Sequence, residues 1–593
     1  MAGVSIRFLL IVGLVSYCAA SEEIIEDKGD IIHGVYLEPF SSLILRDSDQ
    51  SLRLSIYYDD SITNGIPSSV RDRIQNSIVP KLKTFFESLL MVRPTQAPIL
   101  LQRSCTGGSY YPTNINNTIR CAYTCQSSTT CGQTTVPSDH LKACIQCNGN
   151  SNTCTKTGSD GSGISNADMI LYVSAVVAGS CGGGSGSTST IAFATTCQME
   201  SALDRPIAGS VNFCPSAITD KVTDDFIIAT AKHEIIHALA FSPSLYPFWR
   251  DQNGKPRTDR DSNGYPPRGS GYYNYMWSDS TIKQVTYNDW QVYKGSVSHT
   301  VNLVVTPTVV AEAARYFDCS SLVGVELENQ GGQGTQLSHW EKRILGNEVM
   351  TGIIDSNPTL SNITLALLED SGWYKVNYVY GEYLAWGYKK GCSLATKSCY
   401  QYMNERSKSG ESLTPFCNQF SSSNQGLRYG CTADREYKAE CNLAKYTTSL
   451  PQEYQYFSDP TVGGGNQVGD FCPYQNSFSY TSGRDTQCSN PSNQPPDNQD
   501  IAAETYGPGS KCFNHANQWT LGTNIGPLMD SGCYKCSCNG DWSSLTVYVK
   551  GTAYTCNKPG QTFNISAPSN GFGQYNGMMA CPSSFETVCQ ESN

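Results

Sequence analysis

Two histidines and a glutamate fall within five residues, His233-Glu234-Ile235-Ile236-His237, in the pattern H-E-x-x-H. On an α-helix, side chains four positions apart lie nearly one above the other, so His233 and His237 share a face. Two imidazoles placed that way can hold one Zn²⁺ at roughly 2.0–2.1 Å from each nitrogen. Glu234 can then take a proton from the water that the ion activates. The competing reading is a helix with two ordinary polar histidines. A third protein ligand separates the two readings, because a catalytic zinc takes three and keeps its fourth position open.

The chain has seven histidines, His33, His140, His233, His237, His299, His339 and His515. The compact metzincin spacing H-E-x-x-H-x-x-G-x-x-H would need glycine at Ala240 and histidine at Pro243. Either the third ligand lies further on, or the chain is not of that type. His339, in Ser338-His339-Trp340-Glu341, is followed by Asn347-Glu348-Val349-Met350-Thr351-Gly352. A methionine in a tight turn just after the third histidine is the Met-turn arrangement, against which stands an ordinary core methionine. His299, in Ser298-His299-Thr300, reads as a solvated loop residue, and His33, His140 and His515 have no supporting context. Spacing alone leaves the third ligand open.

The elements that must position these residues are partly legible. Asp220 or Thr223 can cap the histidine helix, and Asp224 and Asp225 suit its positive end. Before it come an alternating segment from Leu52 to Tyr58, a nearly all-apolar run from Asp168 to Val173, a segment from Ile191 to Cys197, and Pro206 to Phe213. These read as strands. Apolar residues from Val70 to Leu90 recur at helical spacing, with Pro80 set to kink or divide the helix. Pro243 to Ser298 reads as a long insertion of loops. Thr308 to Phe317 and Leu360 to Leu368 read as helices. From Cys392 onward little helical periodicity remains.

Bulk properties narrow the class. Net charge is −11, with no basic run, which argues against nucleic acid and anionic membranes as partners. Arg7, an apolar run from Phe8 to Val15, and Cys18-Ala19-Ala20 form a signal-peptide pattern ending at Ala20. The run is too short for a transmembrane helix, and the polar end of the sequence carries no glycolipid-anchor tail. Without Cys18, an odd 25 of the 26 cysteines remain. In an exported chain most of these form disulfides, including the dense block from Cys105 to Cys154, whose Cys144 and Cys147 are better read as disulfide partners than as a zinc or redox pair. Three N-glycosylation triplets begin at Asn116, Asn362 and Asn564.

Several blocks together carry a family resemblance: Ala194-Thr195-Thr196-Cys197, His233 to Phe241, Ala314-Arg315-Tyr316-Phe317-Asp318-Cys319, Gly324 to Gly332, Ser338 to Arg343, Glu348 to Gly352, and Leu365 to Tyr378. In this order they resemble the leishmanolysins, zinc surface metalloproteases with their invadolysin relatives, well over residues 50–400. The resemblance implies a secreted metalloendopeptidase acting on protein or peptide substrates. It implies one Zn²⁺ on His233, His237 and His339, Glu234 as catalytic acid/base and Met350 beneath the metal. It also implies an α+β fold: a metzincin-like catalytic domain with a mixed sheet and active-site helix, then a central domain, then a disulfide-rich, mostly irregular or β C-terminal domain. The expected layout is a signal peptide at 1–20, a leader or short pro-segment at 21–50, the catalytic domain at 51–242, the central domain at 243–391 and the cysteine-rich domain at 392–593.

Two departures accompany the resemblance. Ala240 stands where the family usually has glycine, which predicts a shifted or strained helix exit. After the signal segment the first cysteine is Cys105, so a pro-segment cysteine that blocks the metal is absent from the expected place. The alternative function is a silent cell-surface adhesion protein of the same fold. The intact set of His233, Glu234, His237, His339 and Met350 argues against it.

Overall fold

The sheet beneath the histidine helix has five strands: β1 (Ile32–Val35), β2 (Leu54–Tyr58), β3 (Met169–Ser174), β4 (Ala192–Glu200) and β5 (Pro206–Phe213). Their spatial order is β1-β4-β5-β3-β2. β2, β3 and β5 run parallel, β4 is antiparallel to β5, and β1 adds in parallel to β4. All six residues of β3 are buried, as an unbroken apolar run in a central strand requires. The computed structural model describes residues 31–37 and 49–590, except 109, 116–117, 148–153, 182–189, 262–263, 270–273, 333, 424–425, 481–483, 498, 518, 523, 526–529 and 570–572. The expected signal segment, and most of the Gly/Ser loop between Gly179 and Thr190, lie outside the described residues.

The described residues form two compact units, one of Ser421–Glu440 with Gln475–Cys589, the other within Ser21–Phe420 with Cys441–Tyr474. The first is built on two four-stranded antiparallel sheets, and Phe513, Tyr534, Leu545, Val547, Tyr575 and Met579 belong to its core. The second contains the five-stranded sheet and every candidate site residue. The chain is thus of mixed helix and sheet, as the α+β expectation holds.

Helix α1 (Val79–Leu89) follows a helical turn at Ser68–Arg73, and the two join through a π-helical turn at Ile74–Ile78. The expected division at Pro80 therefore takes a defined form. Proline lacks an N–H and its ring crowds the carbonyl four residues back, and a wider turn relieves both. Helix α2 (Asp224–Leu239) packs across β4 and β5. The Thr223 hydroxyl caps it by accepting from Phe226 N at 3.3 Å. Asp224 in the first turn pairs with Arg73 at 2.8 Å. Further on, α3 (Pro307–Phe317) and α5 (Asn362–Asp370) form where helical periodicity placed them, separated by β8 (Val325–Leu327) and the short α4 (Lys342–Leu345). Asp370 joins α5 to α3 by accepting from Thr308 N at 2.8 Å and Val309 N at 2.9 Å.

Two readings change. The supposed loop insertion up to Ser298 ends in a long hairpin, β6 (Ile282–Val292) with β7 (Gly295–Val304). Five of the eleven residues of β6 are exposed, and Lys283, Gln284, Asn288 and Asp289 among them break the apolar alternation that marks a half-buried strand. After Cys392, α6 (Cys399–Lys408) is a capped helix whose Ser398 hydroxyl accepts from Gln401 N. Twelve disulfides join the described cysteines and leave Cys536 free. Cys144 and Cys147 bond to Cys125 and Cys154 respectively, so this pair is a staple rather than a zinc or redox motif. Burial pushes the Cys536 thiol up to about 12.

The stretch expected to be a leader contributes β1. Ile32 and Val35 enter the core beside Ile99, Leu101, Tyr172 and Ile207. His33 is buried and stacks on Phe248 with ring centroids 4.1 Å apart, with Tyr275 edge-on at 5.5 Å. Burial, reinforced by Arg260 and Arg268, lowers its pKa to about 3. An imidazole released into water titrates near ~6.5. Docking of β1 is therefore at full strength above that value and weakens as pH falls toward about 3. Hydrogen exchange should show protection of the Ile32–Val35 amides, relative to β3, falling roughly tenfold or more between pH 7 and pH 5. His33→Phe should remove that dependence, and equal protection at both pH values in the native chain would contradict the account.

Candidate metal centre

Helix α2 brings His233 and His237 to one face, with their Nε2 atoms 2.8 Å apart. His339 arrives from the strand that folds back along β8, where Glu328 N donates to His339 O at 2.8 Å and Glu341 N to Glu326 O at 3.0 Å. Its Nε2 lies 3.2 Å from each of the other two. All three rings are buried.

Each ring is held by a backbone carbonyl on its other nitrogen. His233 Nδ1 meets Val349 O at 2.5 Å, His237 Nδ1 meets Phe241 O at 2.7 Å, and His339 Nδ1 meets Thr335 O at 2.8 Å. A carbonyl only accepts, so the proton sits on Nδ1 in all three and the Nε2 lone pairs face one another. Burial pushes His233 and His339 well below the usual imidazole range and His237 down to about 4. The rings are neutral and ready to ligate.

Three converging lone pairs repel unless a cation lies between them. Nitrogens around a tetrahedral zinc stand about 3.3 Å apart, for bonds of roughly 2.0–2.1 Å. The observed 2.8, 3.2 and 3.2 Å fit that ion. Glu234, next to His233, is anchored to the sheet through Ala194 N, which donates to its Oε2 at 3.0 Å. Helix and strand are also tied by Thr196 Oγ1, which donates to Ala238 O at 2.7 Å.

The leishmanolysin family profile matches residues 127–593. A leishmanolysin-like peptidase of Drosophila pseudoobscura pseudoobscura is 40% identical over 557 residues, 90% of this chain and 80% of that protein. One of Caenorhabditis elegans is 38% identical over 555 residues, 90% and 82% of the two chains. Leishmanolysin of Leishmania major is 25% identical over 433 residues, 72% and 60%. The chain belongs to the leishmanolysin family. It is accordingly a zinc metallopeptidase, with proteins as substrates.

The glycine-to-alanine departure from the leishmanolysin pattern is harmless. Ala240 adopts φ −161°, outside the left-handed region that favours glycine, so the positive-φ strain anticipated for alanine does not arise. The exit closes through Ala240 N and Phe241 N, which both donate to Ile236 O, and the turn delivers Phe241 O to His237. His299 is not a solvated loop residue. It lies on β7, buried and stacked on Trp290 at 4.2 Å. His140 contacts Tyr172 and His515 contacts Tyr534, neither at the triad.

Met350 is fully buried in the turn after His339. Its carbonyl accepts from Trp340 N at 2.9 Å, and the preceding Val349 carbonyl is the one that holds His233. That turn is fixed by Glu348, which sequence reasoning quoted but gave no role. Its carboxylate accepts from Met350 N at 2.6 Å, from Ser361 N at 3.1 Å, and from the Ser361 and Thr364 hydroxyls. Burial nevertheless pushes its pKa up to about 7. Glu348 is thus a positioning residue for the candidate metal centre of this leishmanolysin-family chain. Glu348→Ala should weaken zinc affinity roughly 10–100-fold in a chelator-competition titration, with Glu348→Gln less affected. Unchanged affinity in a folded Glu348→Ala protein would remove that role.

Proposed function

We propose that the chain is a secreted metalloendopeptidase that holds one Zn²⁺ on His233, His237 and His339 and uses Glu234 as its general base. The observation that carries this is the convergence of three Nε2 atoms within 3.2 Å, each ring fixed by a carbonyl. Bound there, zinc supplies Lewis-acid activation of water and of the scissile carbonyl. Glu234 removes the proton of the attacking water and delivers it to the departing amine, so no serine or cysteine nucleophile is required. Its bond to Ala194 N keeps one carboxylate oxygen in place while the proton moves. Met350, buried in the turn whose Val349 carbonyl holds His233, would lie beneath the metal.

Ala192–Thr196 offers the substrate an edge. On its outer side β4 meets β1 at Gln198–Glu200, and among the described residues no strand pairs beyond Ala192–Thr196. An extended peptide adds there through main-chain hydrogen bonds. Unchanged cleavage of a peptide N-methylated at those bonds would oppose that placement. The reading includes a metzincin-like catalytic domain at 51–242, a central domain at 243–391 carrying His339 and Met350, and a cysteine-rich domain at 392–593. Extracellular action is supported by the disulfides and the signal-like start of the chain, and no helix among the described residues is long and apolar enough to cross a membrane. Retention of the whole set of ligands and base favours catalysis over a silent adhesive role.

Glu234→Gln should retain zinc while peptide hydrolysis falls by at least about 10²–10⁴-fold, the share expected of general acid–base transfer. Chelation should abolish wild-type turnover and added zinc restore it. Comparable turnover by zinc-loaded Glu234→Gln would refute the assigned base.

A further inference from the structure

A second cluster of metal-binding side chains lies on the strand that carries His339, and peptide hydrolysis makes no use of it. The pairing of β8 with residues 339–341 brings together Glu326, Glu328 and Glu341. Asp470 joins them from the end of a short turn, Gln467–Gly469, where it adopts φ 53°. The four residues are between 0% and 2% exposed. One carboxylate oxygen from each of Glu326, Glu341 and Asp470 lies within 4.8 Å of the others.

The hydrogen bonds in the cluster use only half of these oxygens. The Arg343 guanidinium pairs with Glu326 Oε2 and with Asp470 Oδ2, the latter at 3.0 Å. Glu341 Oε1 accepts from Arg343 N at 2.9 Å, and Glu328 Oε1 from Gln330 N at 2.8 Å. Glu326 Oε1, Glu328 Oε2, Glu341 Oε2 and Asp470 Oδ1 are buried without a hydrogen-bond partner. The neighbouring Lys342 is committed elsewhere, to Gly346 O, Ile353 O and Asp355. Glu326, Glu341 and Asp470 therefore share one guanidinium.

Isolated buried carboxylates are too costly to keep as they stand; they take up protons or gain a cation. We propose that Glu326, Glu341 and Asp470 form a structural Ca²⁺ site that braces the strand carrying His339. The donors are all carboxylate oxygens, which suits a hard cation and not a second zinc. Ca²⁺ accepts several carboxylates in irregular geometry at about 2.3–2.6 Å, so two ligand oxygens can stand up to ~5 Å apart across it. Mg²⁺ keeps several waters and is rarely held by a protein cage. The leaning of Glu326 toward protonation, its pKa pushed up to about 7 by burial, is what such a cation would reverse. The ion would tie β8, the His339 strand and the Asp470 turn at one point, next to the disulfide from Cys472 to Cys399.

Titrating CaCl₂ into the zinc-loaded, calcium-free full chain should show one Ca²⁺ bound per chain. Tm should rise by about 5 °C at a hundredfold excess over Kd. MgCl₂ should bind more weakly, and Glu341→Gln and Asp470→Asn should each lose the calcium response. Tb³⁺ on the unmutated enzyme gives a readout that does not depend on either variant folding. Excitation of tryptophan should give terbium emission, because Trp290 lies 5.1 Å from the Arg343 guanidinium, and Ca²⁺ should displace it. Neither binding nor a Tm shift in millimolar CaCl₂, with no displaceable terbium emission, would show a proton-sharing carboxyl cluster and overturn the site. Calcium binding that both variants retain would overturn it equally.

Discussion

Three neutral imidazole nitrogens held within about 3 Å of one another is the constraint on which the rest of this structure depends. Burial alone does not aim them. Each ring could present either nitrogen, and a carbonyl on Nδ1 removes that freedom three times, from Phe241, Val349 and Thr335. The three carbonyls come from the exit of α2, the Met350 turn and the loop before His339. The centre is therefore built by several segments that must all be in place before the metal has a site.

Each of those segments has its own support. The α2 exit needs no glycine, because φ at Ala240 is not positive. The Met350 turn rests on one buried carboxylate, Glu348, with donors from both its own turn and the N-terminus of α5. The His339 strand is paired with β8 on a cluster of carboxylates that exceeds its local positive charge. Beneath α2, the five-stranded sheet supplies the anchor for Glu234 through Ala194. Candidate site residues and structural ones thus lie close together in the chain. Glu341, for instance, sits two positions from His339.

Where burial imposes a period, the sequence was readable. α2, α3, α5 and the central strands β3 and β5 lie close to where apolar spacing placed them, since each buries a continuous face. β6 was missed because an exposed strand has no reason to alternate, and α6 because its surface is polar. The H-E-x-x-H pair was visible because both histidines lie on one helix. His339, 102 residues away in the chain, leaves no periodic trace, and only the methionine turn after it marks it as a candidate. Family resemblance chooses it as the third ligand, and the fold brings it to the pair. Backbone carbonyls and the grouping of Glu326, Glu328, Glu341 and Asp470 carry no local signature, because any residue supplies the former and only tertiary folding assembles the latter.

The most direct test of the central claim is X-ray absorption at the zinc edge of the purified enzyme. It should report one zinc per chain with three imidazole nitrogens at roughly 2.0–2.1 Å, completed by oxygen alone. A sulfur scatterer at about 2.3 Å, or only two imidazoles at a fully loaded site, would contradict the assignment of His233, His237 and His339 as its ligands.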